Sequence, residues 1–90
     1  MRQVRYNIYT EDINRDKILH ILNVSYDIKG YNLQEIIGCC QGKQEKSLKI
    51  EIIADSTFFD TVVGLAQDIK EVNRQESILL TEEKIESYLL

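Results

Sequence analysis

Hydrophobic and polar residues alternate in several short stretches of the chain, which is the pattern of strands covered on one face. In the first stretch Val4, Tyr6 and Ile8 alternate with polar neighbours, and in the third Leu48 and Ile50 do the same. The predicted strands cover about residues 3–9, 31–38, 48–54 and 77–80. A polar stretch over 41–46 separates the second from the third and predicts a short turn between antiparallel strands.

Two other stretches have helical spacing. Ile18, Ile21 and Leu22 share one face of a helix predicted over about residues 14–25. Apolar residues three and four apart then predict a long helix over about 57–72, and the residues just before it are good N-caps. The sequence after residue 80 predicts a last helical turn, with its cap at 81–83 and its apolar positions at Ile85, Tyr88 and Leu89.

The resulting order is strand, helix, strand, strand, helix, strand. It predicts an α+β fold, the ferredoxin-like βαββαβ sandwich, in which two helices cover one face of a four-stranded antiparallel sheet. Ninety residues without a linker-like segment predict one domain, 1–90.

The second face of this sheet is predicted to carry a mixed set of side chains. They are Arg5, Tyr9, Lys49, Glu51 and Ile53. This set is too polar for a core but apolar enough for an interface. Because a chain of this size buries a small core, the sequence favours a homo-oligomer.

The net charge of the chain narrows the classes of partner that it can bind. Eleven Lys and Arg against fifteen Asp and Glu give −4, and residues 56–90 alone sum to −4. An acidic chain without a basic cluster is not expected to bind nucleic acid in general. The apolar runs are far too short to span a membrane and no signal peptide is evident, so the sequence predicts a cytoplasmic protein.

Neither a cofactor nor a metal is predicted. Cys39 and Cys40 are adjacent, which disfavours a disulfide between them, and they are expected to be reduced thiols, one buried and one partly exposed. The single histidine, His20, is expected to point outward from the first helix, so the ligand set of a zinc site is missing. Glu35, Glu45 and Glu51 could form a carboxylate pair for acid–base chemistry. Because lysines are interspersed among them, a cross-strand ion pair of Glu51 is the simpler interpretation.

One turn motif has two interpretations. Gly42 and Lys43 could bind an anion, because a glycine lets backbone amides approach a phosphate and the lysine adds charge. The spacing does not match a phosphate loop, and a hairpin turn with positive φ at Gly42 needs no ligand. The segment 73–76 after the second helix is either a hydrogen-bonding subunit edge or a solvated loop.

Four features resemble the PII signal-transduction and CutA superfamily: the element order, the strand-turn-strand from Tyr31 to Ile53, the strand from Ser47 to Ile53 followed directly by a capped helix, and the short strand from Ser77 to Thr81. The resemblance implies trimers whose open sheet faces pack around a central axis, with nucleotides or other small effectors between subunits. The long PII loop is absent, because only residues 41–46 separate the two strands. The pattern Gly38-x-x-x-Gly42-Lys43-x-Glu45-x-Ser47 is also similar to small phage-encoded proteins.

Two functions follow from these observations. The first is a non-enzymatic regulatory homo-oligomer, expected to be a trimer, that binds an anionic small molecule or nucleotide between subunits. Its candidate ligand residues are Arg5, Gly42, Lys43, Lys46, Asn73 and Gln75. The alternative is a protein-interaction module, an inhibitor or adaptor of a phage or mobile element, that uses its acidic C-terminal surface to hold a basic partner.

Overall fold

The computed structural model describes residues 1–90, the side chain of residue 40 excepted. Four strands and two helical segments follow in the predicted order. The strands are β1 (Arg2–Glu11), β2 (Asn32–Cys40), β3 (Lys43–Ala54) and β4 (Leu79–Glu86). The helical segments are α1 (Arg15–His20), extended by a π-helical turn over Ile21–Ser25, and α2 (Phe59–Val72), preceded by a 3₁₀ turn over Ser56–Phe58.

The strands form one sheet in the order β2-β3-β1-β4, and every neighbouring pair is antiparallel. Both helical segments contribute buried residues to one core on one side of this sheet. The ferredoxin-like α+β architecture expected from the sequence is therefore confirmed. We call the other side of the sheet the open face.

The core lies between the helices and the two central strands. Tyr6 and Ile8 of β1 and Ile50 of β3 are fully buried, as the alternation predicted. The α2 stripe that faces them consists of Val62, Leu65, Ala66 and Ile69. Burying one such side chain contributes about 1.5–3 kcal/mol, so the shared stripe and strand faces hold α2 in place.

The start of α2 is held by a cap and by a bond from the core. The Asp55 side chain accepts a hydrogen bond from the Thr57 backbone N–H at 2.9 Å, which confirms the predicted N-cap region. The Tyr6 hydroxyl donates to the Asp55 carbonyl oxygen at 2.9 Å. Burial raises the pKa of Tyr6, so the phenol stays neutral where it makes this bond.

The turn between β2 and β3 is shorter than predicted. It consists of Gln41 and Gly42, both with positive φ (51° and 79°), and β3 begins at Lys43. Two such residues match the twist of a tight hairpin. Residues 43–47 are polar on both sides, since this part of the hairpin is exposed, and they therefore lack the alternation that marks a half-buried strand.

The predicted C-terminal helical turn is wrong. Residues 79–86 form the edge strand β4, which pairs with β1 from Arg2↔Glu86 to Tyr9↔Leu79. The Thr-Glu-Glu sequence is a good helix start in isolation, but the free edge of β1 supplies a ladder of backbone hydrogen bonds that a short terminal helix cannot match. The predicted strand over 77–80 was thus placed too early and made too short.

The structure bears on part of the cysteine and histidine predictions. His20 is exposed, as expected. Cys39 is an exposed free thiol. The prediction for the side chain of Cys40 lies outside the described residues.

Tyr26 provides a pH-dependent test of this fold. Its hydroxyl donates to Asp68 on α2 at 2.6 Å, and this bond, with burial and the Asp68 charge, raises the pKa of Tyr26 to about 12. The folded state therefore favours the neutral phenol. The stabilisation is fully present below about pH 10, the pKa of a free tyrosine, and is lost as the pH rises towards 12.

We expect Tyr26→Phe to lower the free energy of unfolding by about 1 kcal/mol at neutral pH, because one hydrogen bond is lost. The difference from the wild type should shrink as the pH rises above 10. Urea unfolding at several pH values measures the stability difference at neutral pH and its decrease above pH 10. A difference that stays constant up to pH 12 would contradict the assigned bond.

Candidate functional site

The turns and strand ends that carry the predicted site residues meet at one end of the sheet. β1 and β2 run towards this end, and β3 and β4 start from it. We call it the loop end. It comprises the turn at 41–42, the end of β1 at 10–11 and the segment 73–78 between α2 and β4.

Asn73 anchors the segment between α2 and β4. Only 6% of it is exposed. Its side-chain amide donates to the Thr10 hydroxyl at 2.9 Å and to the Glu11 carbonyl oxygen at 3.3 Å, and its own oxygen accepts from the Asn14 amide at 3.2 Å. Asn73, which the sequence predicted to bind a ligand, therefore links the end of α2 to the end of β1 and to the start of α1 through buried hydrogen bonds. We call this group of hydrogen bonds the clasp.

Gln75 belongs to the same clasp. Its side-chain oxygen accepts from the Thr10 hydroxyl, from the Glu11 backbone N–H at 3.3 Å and from Asn73 at 3.2 Å. Its amide nitrogen donates to the Ser77 carbonyl oxygen at 3.1 Å. The clasp orients the backbone between Asn73 and β4, including exposed Arg74 at φ 52°.

Lys43 and Lys46 lie on opposite faces of the hairpin. They are three positions apart on one strand, and side chains alternate between faces. Lys46 is on the side that carries the helices and, with Asp12 and Glu35, lines a cavity of about 360 Å³. Lys43 extends from the open face beside Gly42. The two lysines therefore do not form one anion site within a chain.

The cavity beside Lys46 is balanced in charge. Arg15 binds Asp12 at 2.6 Å and Glu35 at 2.9 Å, and the two hydrogen bonds raise the pKa of Arg15. With both carboxylates occupied by Arg15, the cavity has no excess of positive charge to attract an anion.

Arg5 lies far from the other candidates. It is on the open face, about 17 Å along β1 from Thr10 at 3.4 Å per residue. Its Nη1 donates to Glu83 at 2.9 Å, which raises its pKa, and its Nε lies 3.3 Å from Glu51 without the alignment of a hydrogen bond. The expected cross-strand ion pair of Glu51 is confirmed, and Arg5 is tied to two carboxylates.

The open face contains a residue that sequence reasoning missed. Asn7 is 5% exposed at the centre of a polar row that crosses the sheet through Glu51 and Thr81. Its amide reaches Thr81 only at 3.5 Å, and its oxygen has no hydrogen-bond partner among the described residues. The sequence feature that could have identified it is an asparagine at an outward position of a central strand. A buried acceptor without a donor is costly, so Asn7 lowers the stability of the sheet at this position.

A second cavity opens at the opposite end of the sheet. It measures about 500 Å³ and lies between the start of β1, the end of β4 and the residues just before α2. Its lining residues are Arg2, Gln3, Val4, Asp55, Ser56, Lys84, Ile85 and Glu86. None of them belongs to the predicted ligand set.

Two further observations limit the chemistry of the described residues. No group of three or more His, Cys, Asp or Glu among them could hold a metal ion. No helix in the part of the chain that the structure describes is long and apolar enough to cross a membrane.

Solved structures with the same architecture include a nitrogen-regulatory PII-like protein and a GlnK–ATP complex. CPII, a PII-like protein from Thiomonas intermedia K12 bound to ADP, AMP and bicarbonate, is 13% identical with a TM-score of 0.74 over 100% of this chain and 97% of its own. The GlnK–ATP complex of B. subtilis is 18% identical with a TM-score of 0.73 over 93% of this chain and 82% of its own. The chain has the PII-like fold.

A phage enzyme shares this PII-like fold. A phage SAM lyase in its apo state is 13% identical, with a TM-score of 0.61 over 92% of this chain and 79% of its own. No family model and no curated protein matches the sequence. At these identities the similarity establishes the PII-like fold expected from the sequence, and function has to be argued from the site.

The clasp at the loop end of this PII-like fold is testable by mutation. We expect Asn73→Ala to lower the free energy of unfolding by about 1–3 kcal/mol, because it leaves Thr10 and Asn14 without their buried partner. Glu76→Ala, an exposed neighbour, should change it by less than about 0.5 kcal/mol. Denaturant unfolding measures both, and equal effects would contradict the clasp.

Proposed function

We propose that the protein is a small regulatory homo-oligomer, a trimer in the cytoplasm, that binds an anionic small molecule between its subunits and catalyses no reaction. One observation carries the proposal. The candidate residues other than Arg5 gather at the loop end of the sheet but lie at its two sides, so that no single chain encloses a site.

The separation within one chain follows from the strand order. Lys43 starts β3 beside the edge strand β2, whereas Gln75 lies next to the end of β1 and the start of β4. The edge strands β2 and β4 are three strand spacings apart, about 14 Å. A single phosphate group cannot contact both sides at that distance, but a neighbouring subunit can present its own loop segment to the turn.

The turn has the chemistry for an anion. Gly42 has no side chain and a positive φ, which leaves the backbone amides of the turn open to a ligand. Lys43 is exposed, and no ion pair of its ammonium group occurs within the described chain. The bound ADP and AMP of CPII and the ATP of GlnK support a phosphate-bearing ligand for a protein of this fold.

The arrangement of the carboxylates supports a role without catalysis. Glu51 contacts Arg5 and Asn32, and Glu35 contacts Arg15. A general base needs a free carboxylate within reach of its proton, and these two are engaged. The SAM lyase has the same fold, so the proposal that this protein catalyses no reaction needs a direct test.

The acidic strand β4 favours a second candidate function. Glu82 and Glu83 are exposed on opposite faces of β4, within the third of the chain that sums to −4. A protein-interaction module would use this surface to hold a basic partner, and its capture of that partner would fall steeply with salt. Binding of a small anion at the loop end distinguishes the first function from this one.

We expect ATP or ADP, used as phosphate-bearing probes, to bind the wild-type protein in isothermal titration calorimetry. Lys43→Gln should weaken binding about tenfold, since a charge-assisted hydrogen bond is worth about 1.5–3 kcal/mol and 1.4 kcal/mol corresponds to tenfold. Lys17→Gln removes an equal charge from α1, away from the turn, and should leave the affinity unchanged. Equal losses in both variants would indicate only a general charge effect and contradict the site.

We expect no consumption of SAM when the protein is incubated with it and the mixture is followed by liquid chromatography. The phage SAM lyase serves as the positive control. Turnover by this chain that disappears in a folded variant of an open-face carboxylate, Glu51→Gln, would overturn the non-enzymatic proposal.

A further inference from the structure

Strand ends that the helices do not cover form the cavity of about 500 Å³ at the end of the sheet opposite the loop end. β3 leaves the sheet after Ala54, so Arg2 and Gln3 pair with β4 alone. None of the lining residues belongs to α1 or α2, because α2 begins only at Phe59. We call this space the β1–β4 cavity. Its volume lies within the range of about 300–1,000 Å³ that is typical of small-molecule sites.

The floor of the β1–β4 cavity is apolar. Val4 is a core residue on the helix side of β1, and only 7% of it is exposed. Its cross-strand partner is Lys84, and Arg2 pairs with Glu86, so these side chains lie on the same side of the sheet. Half-buried Ile85 adds apolar surface from β4. A ligand in this cavity would therefore rest an apolar part on Val4 and meet charged groups at the rim.

The two carboxylates at the rim are already engaged. Glu86 lies 3.5 Å from the Nε of Arg2, and the Asp55 side chain accepts from the Thr57 backbone N–H at 2.9 Å. Lys84 is exposed, and no ion pair of its ammonium group occurs within the part of the chain that the structure describes. Lys84 is therefore available for an anionic group of a ligand.

The charge balance of the rim favours a ligand with a single negative charge. Arg2 and Lys84 together offset Asp55 and Glu86, so the ionic side chains of the lining sum to zero. A phosphate ester carries about −1.5 to −2 at neutral pH, and the two carboxylates would repel it. A carboxylate brings one charge, which Lys84 offsets. The apolar floor in turn favours a ligand whose remaining part is hydrocarbon or aromatic.

We propose that the β1–β4 cavity binds a small organic acid, a monocarboxylate whose apolar body packs on Val4 and whose carboxylate binds Lys84. This site goes beyond the proposed function, because it lies within one chain and needs no second copy. It is also remote from the loop end, since Arg2 and Thr10 are about 27 Å apart along β1 at 3.4 Å per residue. One small ligand cannot occupy both places.

Backbone amide NMR of the wild-type protein tests the site with naphthoate as the probe. We expect saturable shifts at residues 2–4, 55–56 and 84–86. The neutral analogue naphthalenemethanol has the same rings but cannot form the charged pair with Lys84, so it should bind about tenfold more weakly, which corresponds to about 1.4 kcal/mol. Equal affinities, or no saturable shifts at these residues with millimolar naphthoate, would overturn the proposal.

Two matched pairs of variants test the two walls of the cavity separately. Lys84→Gln removes the cation and should weaken naphthoate binding about tenfold, whereas Lys17→Gln removes an equal charge from α1 and should not change it. Ser56→Phe fills the cavity and should abolish binding, whereas Ser25→Phe makes the same change at an exposed position outside it. The dispersion of the amide signals shows whether each variant is folded.

The variants also separate this site from other places where the probe could bind. Naphthoate shifts that persist in folded Lys84→Gln and Ser56→Phe would mean that the probe binds exposed apolar side chains elsewhere, and this result would overturn the cavity site. Binding of ATP or ADP should be unchanged in Ser56→Phe, because the loop end is remote from residue 56. The cavity site and the loop-end site can therefore fail independently.

Discussion

Packing of two helices against one face of a four-stranded sheet is the interaction on which the other features depend. The core between α2 and the central strands uses nearly all the large apolar side chains of β1 and β3. The opposite face is left to Arg5, Asn7 and Glu51, whose polar groups satisfy one another only in part. The helix-covered face of the sheet is thus fully packed, whereas the open face is suited to contacts with another molecule.

The elements with a half-buried face could be predicted from the sequence. Alternation along β1 and the three-and-four spacing of α2 each report burial on one side, and Asp55 marks the start of the helix. The hairpin beyond residue 42 and the strand β4 could not be predicted in the same way. Their side chains are mostly exposed on both faces, so strand pairing rather than burial stabilises them, and pairing with β1 outweighs the capping preference of residues 81–83.

The sequence predicted which residues could bind a ligand but not how they are arranged in space. Glycine and lysine at the turn are chemically suited to an anion, and the positive φ of Gly42 is confirmed. Because side chains alternate between the two faces of a strand, Lys43 and Lys46 lie on opposite faces of the hairpin. This separation could have been predicted from the sequence. The role of Asn73 as a buried clasp depends on Thr10, a residue 63 positions away, and no local pattern reports such a contact.

The PII-like fold is shared by proteins solved with bound nucleotides and by a phage lyase, so the fold alone does not determine the function. The central claim is that the anion site at the loop end exists only between copies. Native mass spectrometry of the gently purified protein at tens of micromolar tests the claim most directly. The account predicts a species of three times the 10.5 kDa chain that retains a small anionic ligand. A folded species of 10.5 kDa alone would contradict it.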